Sequence, residues 1–339
     1  MIYLDYQATT PLAPEAREAM LPWLSGPEAM GFANPHSPHR PGRGRVVFTG
    51  SATEALNLAI LGCKPRRIAV SAIEHAAVLD TARASGAEVD RFDVDGEGLV
   101  APNAAIPAGT DLVAVMQVNN EIGTVQPVAA LAEAAHAAGA LFLCDAVQGA
   151  GKLAPPAGAD LIALSAHKLH GPKGVGALWI RDGIELAPLI HGGGQEGGLR
   201  SGTLSPALCV GFGAAAKLAA TRREEDAAHV ADLWLRARDR FAGWTLNGSA
   251  EARWHGNLNL HKPGLDVARL MSDLRDLAFS AGSACASGSG RPSHVLRALG
   301  LTDTAAKSSI RIGFGRYTLS RELEDACARI VAAAAAQGV

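Results

Sequence analysis

The sequence predicts an α/β protein with a mostly parallel central sheet covered by helices on both faces, joined to a smaller α+β domain. Three observations lead there. Between Arg67 and Arg181, short apolar runs recur as RIAVSAI, AEVDRFDV, DLVAVMQV, ALFLCDA, ADLIALSA and GALWI. Several are separated by stretches of helical period, AAVLDTARASG and PVAALAEAAHAAG, and strands alternating with helices of that length build βαβ units. From about Thr221 the pattern changes to RREEDAAHVADLWLRARDRF, whose alternating charges and spaced Leu and Trp side chains predict an amphipathic surface helix. With 339 residues, 48% hydrophobic and 19% charged, the chain is long enough for one large core or two smaller ones. We expect a large domain over 13–221 and a small one made of 1–12 with 222–339.

Taken in order, the first structured signal is Ser51 to Glu54 in VVFTGSATEALNLAIL, an S-x-x-E capping box that opens a helix. The strands and helices named above follow. HGGGQEGGLRSGT, from His191 to Thr203, has too many glycines for either element and must be a loop that approaches something closely. After the charged helix come a polar stretch around Asn247 to Asn259, the helix VARLMSDLRDL, a Gly- and Ser-rich loop over 280–290, the strand-like SSIRIGFGR, and an Ala-rich final helix.

Composition excludes several function classes. A net charge of -2, with no long Lys/Arg block, offers no electrostatic reason to make nucleic acid or a lipid surface the main partner. The opening MIYLDYQATTP has no signal-peptide character and no apolar run approaches a membrane span, so a soluble, cytoplasmic protein is expected. The five cysteines, Cys63, Cys144, Cys209, Cys285 and Cys327, never form a CxxC pair, which argues against a disulfide framework or a metal site.

In open α/β sheets, ligands bind outside the carboxyl ends of the strands. RIAVSAI is followed by Glu74 and His75, DLVAVMQV by Asn119, Asn120 and Glu121, ALFLC by Asp145 and Gln148, and ADLIAL by Ser165, His167 and Lys168. Each alone could be a cap or turn residue, and Lys168 alone a solvated loop lysine. Jointly they place an aromatic base, amides, a carboxylate and a lysine on one rim. Those are the groups a pyridoxal ring needs: a carboxylate for the pyridine nitrogen, a face to stack on, an amide for the phenolic oxygen, and a lysine amine for the aldehyde. The helix at Ser51, with the Thr53 hydroxyl, is placed to hold a phosphate, or is simply well capped.

Cys285 sits in SAGSACASGSGRPS, where Gly and Ser dominate, so its thiol rides on a loop, able to attack a substrate held elsewhere and then deliver what it has taken. Cys144, Cys209 and Cys327 lie in strand or helix patterns and read as small buried hydrophobes. Arg311 in SSIRIGFGR could clamp a carboxylate with its fork of donors, or serve in an ordinary ion pair.

These residues together resemble the cysteine desulfurases of the NifS/IscS type, within the class V aminotransferases and the fold-type I pyridoxal phosphate enzymes. The resemblance runs through YLDYQATTP, FANPHS, FTGSATEALNLAI, EHAAVLD, VNNEIGTVQP, DAVQGAGK, SAHKLHGPKGVGAL, HGGGQEGGLRSGT, SAGSACASG, PSHVLRALGL and SSIRIGFGR, nearly the whole chain. It implies a homodimer that uses pyridoxal 5'-phosphate to free sulfur from L-cysteine, leaving L-alanine and a persulfide on Cys285. The sulfur would pass to iron–sulfur cluster or tRNA-thiolation acceptor proteins. By position, Lys168 would bond the cofactor aldehyde and act as general acid/base, and Cys285 would be the nucleophile. His75 would stack on the ring and assist proton transfer, Asp145 would pair with the ring nitrogen, and Gln148 would reach the phenolic oxygen. Ala52, Thr53, Ser165 and His167 would hold the phosphate, with Thr203 from the other subunit. Asn120 and Arg311 would position cofactor and substrate carboxylate, with Asn34.

The chain departs from the family pattern in four places. Only RPGRGR separates His39 from Val46, where a full helix is usual; Gly50 and Ser51 stand in reversed order; Gly197 replaces a common basic residue; and the sequence to Val339 leads us to expect no longer tail of the kind family members use to dock an iron–sulfur scaffold. A selenocysteine lyase or another class V enzyme, in which Cys285 is incidental, is the second reading. A non-catalytic dimeric binding or regulatory partner is the third, and the retained Lys168, Asp145, His75 and Cys285 argue against it.

Overall fold

The computed structural model describes residues 1–25, 44–282 and 292–339; Asn34, Cys285 and most of the expected 280–290 loop lie outside the described residues. The chain begins with β1 (Ile2–Tyr3), α1 (Pro14–Met20) and α2 (Pro22–Ser25). Next come β2 (Gly44–Thr49), α3 (Ala52–Cys63), β3 (Arg67–Ser71), α4 (Ala76–Ala84), β4 (Glu88–Phe92), β5 (Leu112–Ala114), α5 (Val128–Ala137), β6 (Leu141–Asp145), β7 (Leu161–Ser165) and β8 (Gly176–Arg181). A long α6 (Pro206–Arg240) leads to β9 (Thr245–Leu246), β10 (Asn257–His261), α7 (Val267–Asp273), β11 (Leu277–Ala278) and β12 (Ser280–Ala281). The chain closes with α8 (His294–Ala298), α9 (Asp303–Lys307), β13 (Ser309–Gly313) and α10 (Ser320–Ala335).

Seven strands form the main sheet in the order β2-β8-β7-β6-β5-β3-β4. From β7 to β4 every pairing is parallel, and β8 alone runs against its neighbours β7 and β2. The continuous apolar runs therefore sit in strands buried on both faces. On one face α3 and α4 supply Leu56, Ile60, Val78 and Ala82 against Ile68, Leu112, Leu143 and Leu178. On the other, α5 packs Leu131 and Ala135 against Val113 and Phe142. A second, antiparallel sheet, β12-β13-β10-β9, shares its core with α6, α7 and α10 through Leu233, Leu258, Leu270, Ile312 and Ile330. The N-terminal strand joins this second region, β1 pairing with β11.

Two elements and one cysteine differ from the sequence expectation. The amphipathic helix begins at Pro206 rather than near Thr221, because the segment before the charged stretch is apolar: Leu208, Phe212 and Ala215 pack with Ala13, Ala16 and Ala177. That helix is continuous through residue 221. The VARLMSDLRDL helix ends at Asp273, since Leu277 is taken into β11 opposite Ile2. Cys209, expected inside, is only partly covered, whereas Cys144 and Cys327 are buried.

Strand β2, whose first two residues are the last two of the short RPGRGR segment, pairs with β8 along its full length, from Gly44↔Arg181 to Thr49↔Gly176. Among the described residues its outer face is open: Val46 is 44% exposed and, with Ile162, Leu164 and Trp179, lines a groove of about 750 Å³. No helix among the described residues is long and apolar enough to cross a membrane.

Candidate active site

A pocket of about 320 Å³ opens at the carboxyl ends of β3, β5, β6 and β7, where a parallel sheet presents its loops to ligands. Ala52 and Thr53 reach it from the start of α3, His75 from the turn after β3, and Asn120 from the loop after β5. Asp145 and Gln148 follow β6, Ser165, His167 and Lys168 follow β7, and Arg311 enters from β13. Thr203 is exposed and does not line this pocket. Among the described residues no cluster of three or more His, Cys, Asp or Glu is arranged to hold a metal.

The wall at α3 is built by its cap. Ser51 accepts the Glu54 N–H at 3.2 Å, and the Glu54 carboxylate accepts the Gly50 N–H at 2.7 Å while pairing with Arg200 at 2.7 Å. The reversed Gly50–Ser51 order thus puts a hydroxyl at the N-cap, where it serves best. Other N–H groups of the first turn have no intrahelical acceptor and point to the positive end of the helix dipole. Gly176 on β8 is required here: a Cβ would lie 2.4 Å from the Ser51 carbonyl carbon and 2.7 Å from the Ala52 nitrogen. Gly197 lies at φ +66, a conformation a side chain disfavours.

On the opposite wall, Asp145 is 7% exposed and accepts the Val147 N–H at 2.9 Å. Burial pushes its carboxyl up, while the His75 and Lys168 charges pull it back. Beneath it Glu74 is fully buried and pushed to about 8, by burial first and by the Asp145 charge in addition, against hydrogen bonds from Ser71 and the Met116 N–H. His75 caps α4, its Nδ1 accepting the Ala77 N–H at 3.1 Å. The Arg311 guanidinium is completely buried, held by Asp5 at 2.6 Å and the Asn120 carbonyl at 2.9 Å, with Nε lacking a hydrogen-bond partner. Asn119, one of the rim amides, serves the fold instead: it caps the Glu121 and Ile122 N–H groups and donates to the Ile73 carbonyl.

Lys168 lies in a short helical turn, Ala166–Lys168, and is docked on the N-terminal segment. Its Nζ donates to the carbonyls of Gln7 and Ala8, the latter at 2.8 Å. Thr10 clasps the same turn, donating from Oγ1 to the His167 carbonyl at 2.9 Å and accepting the His170 N–H at 2.7 Å. His167 pairs with Thr9 Oγ1 at 3.1 Å and is pushed down to about 4 by burial and then by the charges of Lys168, Lys173 and Lys152. Gln7, Thr10 and Asp5 fall in the YLDYQATTP motif, but no role was assigned to them individually, because they act on residues more than 150 positions away.

Of the described thiols, Cys63 and Cys327 are pushed up to about 12 and Cys209 to about 11 by burial, and Cys144 is raised as well. None is poised as a thiolate at neutral pH.

Residues 39–325 match the family described as aminotransferase class-V. The cysteine desulfurase IscS of Rickettsia akari is 40% identical over 366 positions, covering 95% of this chain and 88% of that protein. The alignment is longer than the 339 residues of the chain, so that relative carries residues this one lacks. The mitosomal cysteine desulfurase of Encephalitozoon cuniculi is 39% identical, covering 95% of this chain and 84% of its own. Among solved structures, a NifS-like protein superposes with a TM-score of 0.87 at 30% identity, covering 97% of this chain and 98% of that one. DndA from Streptomyces lividans does so at 0.76 and 31%, covering 91% and 98%. With the fold, the rim of strand-end residues and these likenesses in agreement, the chain belongs to the class-V aminotransferase family and, within it, to the cysteine desulfurases.

Proposed function

We propose that the protein binds pyridoxal 5'-phosphate in this pocket and removes sulfur from L-cysteine, leaving L-alanine and a persulfide on Cys285. The observation that carries the reading is the convergence of Lys168, the buried Asp145 and the open N-terminus of α3 on one pocket. The donor set fits the cofactor. A buried carboxyl such as Asp145 is stabilised in its charged form by a cation against it, and a protonated ring nitrogen is that cation. The N–H groups of α3, with Thr53, Ser165 and His167, suit a phosphate, and Gly176 keeps that end clear.

When bound, the cofactor supplies an electron sink for the carbon skeleton of the substrate. Lys168 provides the amine that anchors it and moves the proton at the substrate α-carbon. His75 would stack on the ring, and Gln148 would offer its amide N–H to the phenolic oxygen. Asn120 and Arg311 would orient the cofactor and the substrate carboxylate, with Asn34. The Cys285 thiolate attacks the substrate sulfur: an S–S bond forms, the C–S bond breaks with its electron pair left on carbon, and protonation there completes alanine. A homodimer belongs to the reading, with Thr203 completing the phosphate site of a second copy. So do the cytoplasm, where thiols stay reduced, and a sulfur acceptor protein of iron–sulfur cluster assembly or tRNA thiolation.

Absorbance of the purified protein mixed with pyridoxal phosphate, followed by L-cysteine and a thiol reductant, tests this. A visible band lost in Lys168→Ala, with sulfide and alanine formed in equal amounts and sulfide lost in Cys285→Ser, is expected. A band indifferent to Lys168→Ala, or sulfide release undiminished in Cys285→Ser, overturns the assignment.

A further inference from the structure

We propose that Lys152 is a positioning residue: its amine fixes the side-chain amide of Gln148 with the N–H groups toward the ring-oxygen site, and its charge sets the protonation equilibrium at the Lys168 nitrogen. The inference rests on the pyridoxal phosphate reading above and goes beyond it.

Lys152 does not line the main pocket. It sits four residues after Gln148, on a turn in which the Lys152 N–H donates to the Gly149 carbonyl at 3.0 Å, and its Nζ donates to Gln148 Oε1 at 3.2 Å. On the far side of the same amide, Nε2 donates to the Gln7 carbonyl at 2.9 Å. These two neighbours leave one orientation. The Gln7 carbonyl has only lone pairs, so a flipped amide would set oxygen against oxygen there, and below about pH 7 it would also set N–H against an ammonium. With Oε1 held by Lys152, one Nε2 hydrogen goes to Gln7 and the other remains for an oxygen in the pocket.

The Gln7 carbonyl also accepts Lys168 Nζ, so Lys152, Gln148, Gln7 and Lys168 form one connected chain of polar contacts. Among the described residues no carboxylate pairs with Lys152. The ionisable groups facing it across a small cavity are Tyr6, His170, Asp226 and Arg316, and Asp226 is engaged by Arg316 at 2.6 Å. On the pocket side it faces Lys168. Burial pushes the Lys152 amine down to about 7, and the Lys168 charge adds to that, so its charge acts below about pH 7 while its N–H donation to Gln148 persists above it. A nearby cation disfavours a second positive charge, and a donor on the phenolic oxygen disfavours a proton shared with the neighbouring nitrogen. Both effects lower the pH at which the Lys168 nitrogen, bonded to the cofactor, gives up its proton.

The test is a pH titration of the visible band of the holoenzyme, together with the dissociation constant of pyridoxal phosphate, in wild type, Lys152→Met, Lys152→Gln and Lys152→Arg. The expected result is a midpoint raised by about one pH unit in Lys152→Met, a tenfold shift in that equilibrium, with weaker cofactor binding and recovery in Lys152→Arg. Lys152→Gln keeps a donor without the charge; it carries the test if Lys152→Met does not fold, and its midpoint is expected to rise as well. A folded, cofactor-loaded Met or Gln variant with an unmoved midpoint overturns the inference and leaves the cofactor reading standing. Equal shifts in the Met and Arg variants, or failure of both Met and Gln to fold, make Lys152 a packing residue and also overturn it. Absence of any visible band in the wild type overturns both readings.

Discussion

Thr10→Val isolates the clasp that holds the Lys168 turn. The change conserves shape and removes one hydroxyl. The His167 carbonyl keeps a donor, because the Thr10 N–H also reaches it at 2.9 Å, but the His170 N–H loses its 2.7 Å acceptor in a site where Thr10 is only 6% exposed. A buried donor left unsatisfied costs about 1–3 kcal/mol. At about 2.1 cal/mol/K per residue, the unfolding entropy of 339 residues is about 0.7 kcal/mol/K, so the melting temperature should fall by about 1.5–4 °C. The function should suffer more than the fold. His167 and Lys168 lie on the turn that Thr10 ties down, and a displacement of about 1 Å at a reacting group can cost 100-fold in rate. Thermal melts followed by circular dichroism and a pyridoxal phosphate titration read the two effects. An unchanged melting temperature together with unchanged cofactor affinity would refute the claim that Thr10 holds the lysine platform.

Ser51→Ala removes the N-cap of α3 and should cost about 1 kcal/mol, read as a lower melting temperature, with weaker cofactor binding because the first turn frays at the phosphate end. Glu54 keeps its bonds to Gly50 and Arg200, so the remaining turns of α3 should stay formed. His170 is 8% exposed and pushed down to about 4 by burial, so between pH 6.5 and 4 the unfolded chain takes up a proton that the folded one refuses. Its stabilisation is complete above pH 6.5 and falls, as the pH drops toward 4, by up to about 1.4 kcal/mol per pH unit. His167 acts in the same direction. Glu74, pushed up to about 8, acts the other way: its contribution is complete below the ordinary carboxyl range and is lost as pH rises toward 8. The informative measurement is therefore the difference in denaturant-unfolding free energy between wild type and His170→Asn. That difference should shrink as pH falls from 6.5 to 4, and a flat difference would contradict the burial argument.

What could be read from the sequence and what could not divide along a physical line. Sites whose parts lie within one strand-turn unit were legible: Asp145 with Gln148, and Ser165 with Lys168, declare themselves because an apolar run ends and polar residues begin within a few positions. The capped helix at Ser51 was legible for the same reason. Parts that arrive from afar do not declare their role this way. Gln7 and Thr10 lie in the YLDYQATTP motif, yet nothing about an amide or a hydroxyl there says that it reaches the lysine turn. Partial burial inverts meaning as well. Lys152 reads as an ordinary turn lysine until its neighbours show that it sits beside Gln148 with, among the described residues, no carboxylate to hold it. The start of α6 was misplaced because charge alternation marks only the solvated half of a helix, and its apolar half, packed on α1 and the main sheet, carries no amphipathic signal. Sequence thus exposes the groups proposed to do the chemistry when they cluster at strand ends. The backbone carbonyls and second lysine that tune those groups become visible only when distant segments are brought together, and the Thr10 and Lys152 variants probe this part of the site.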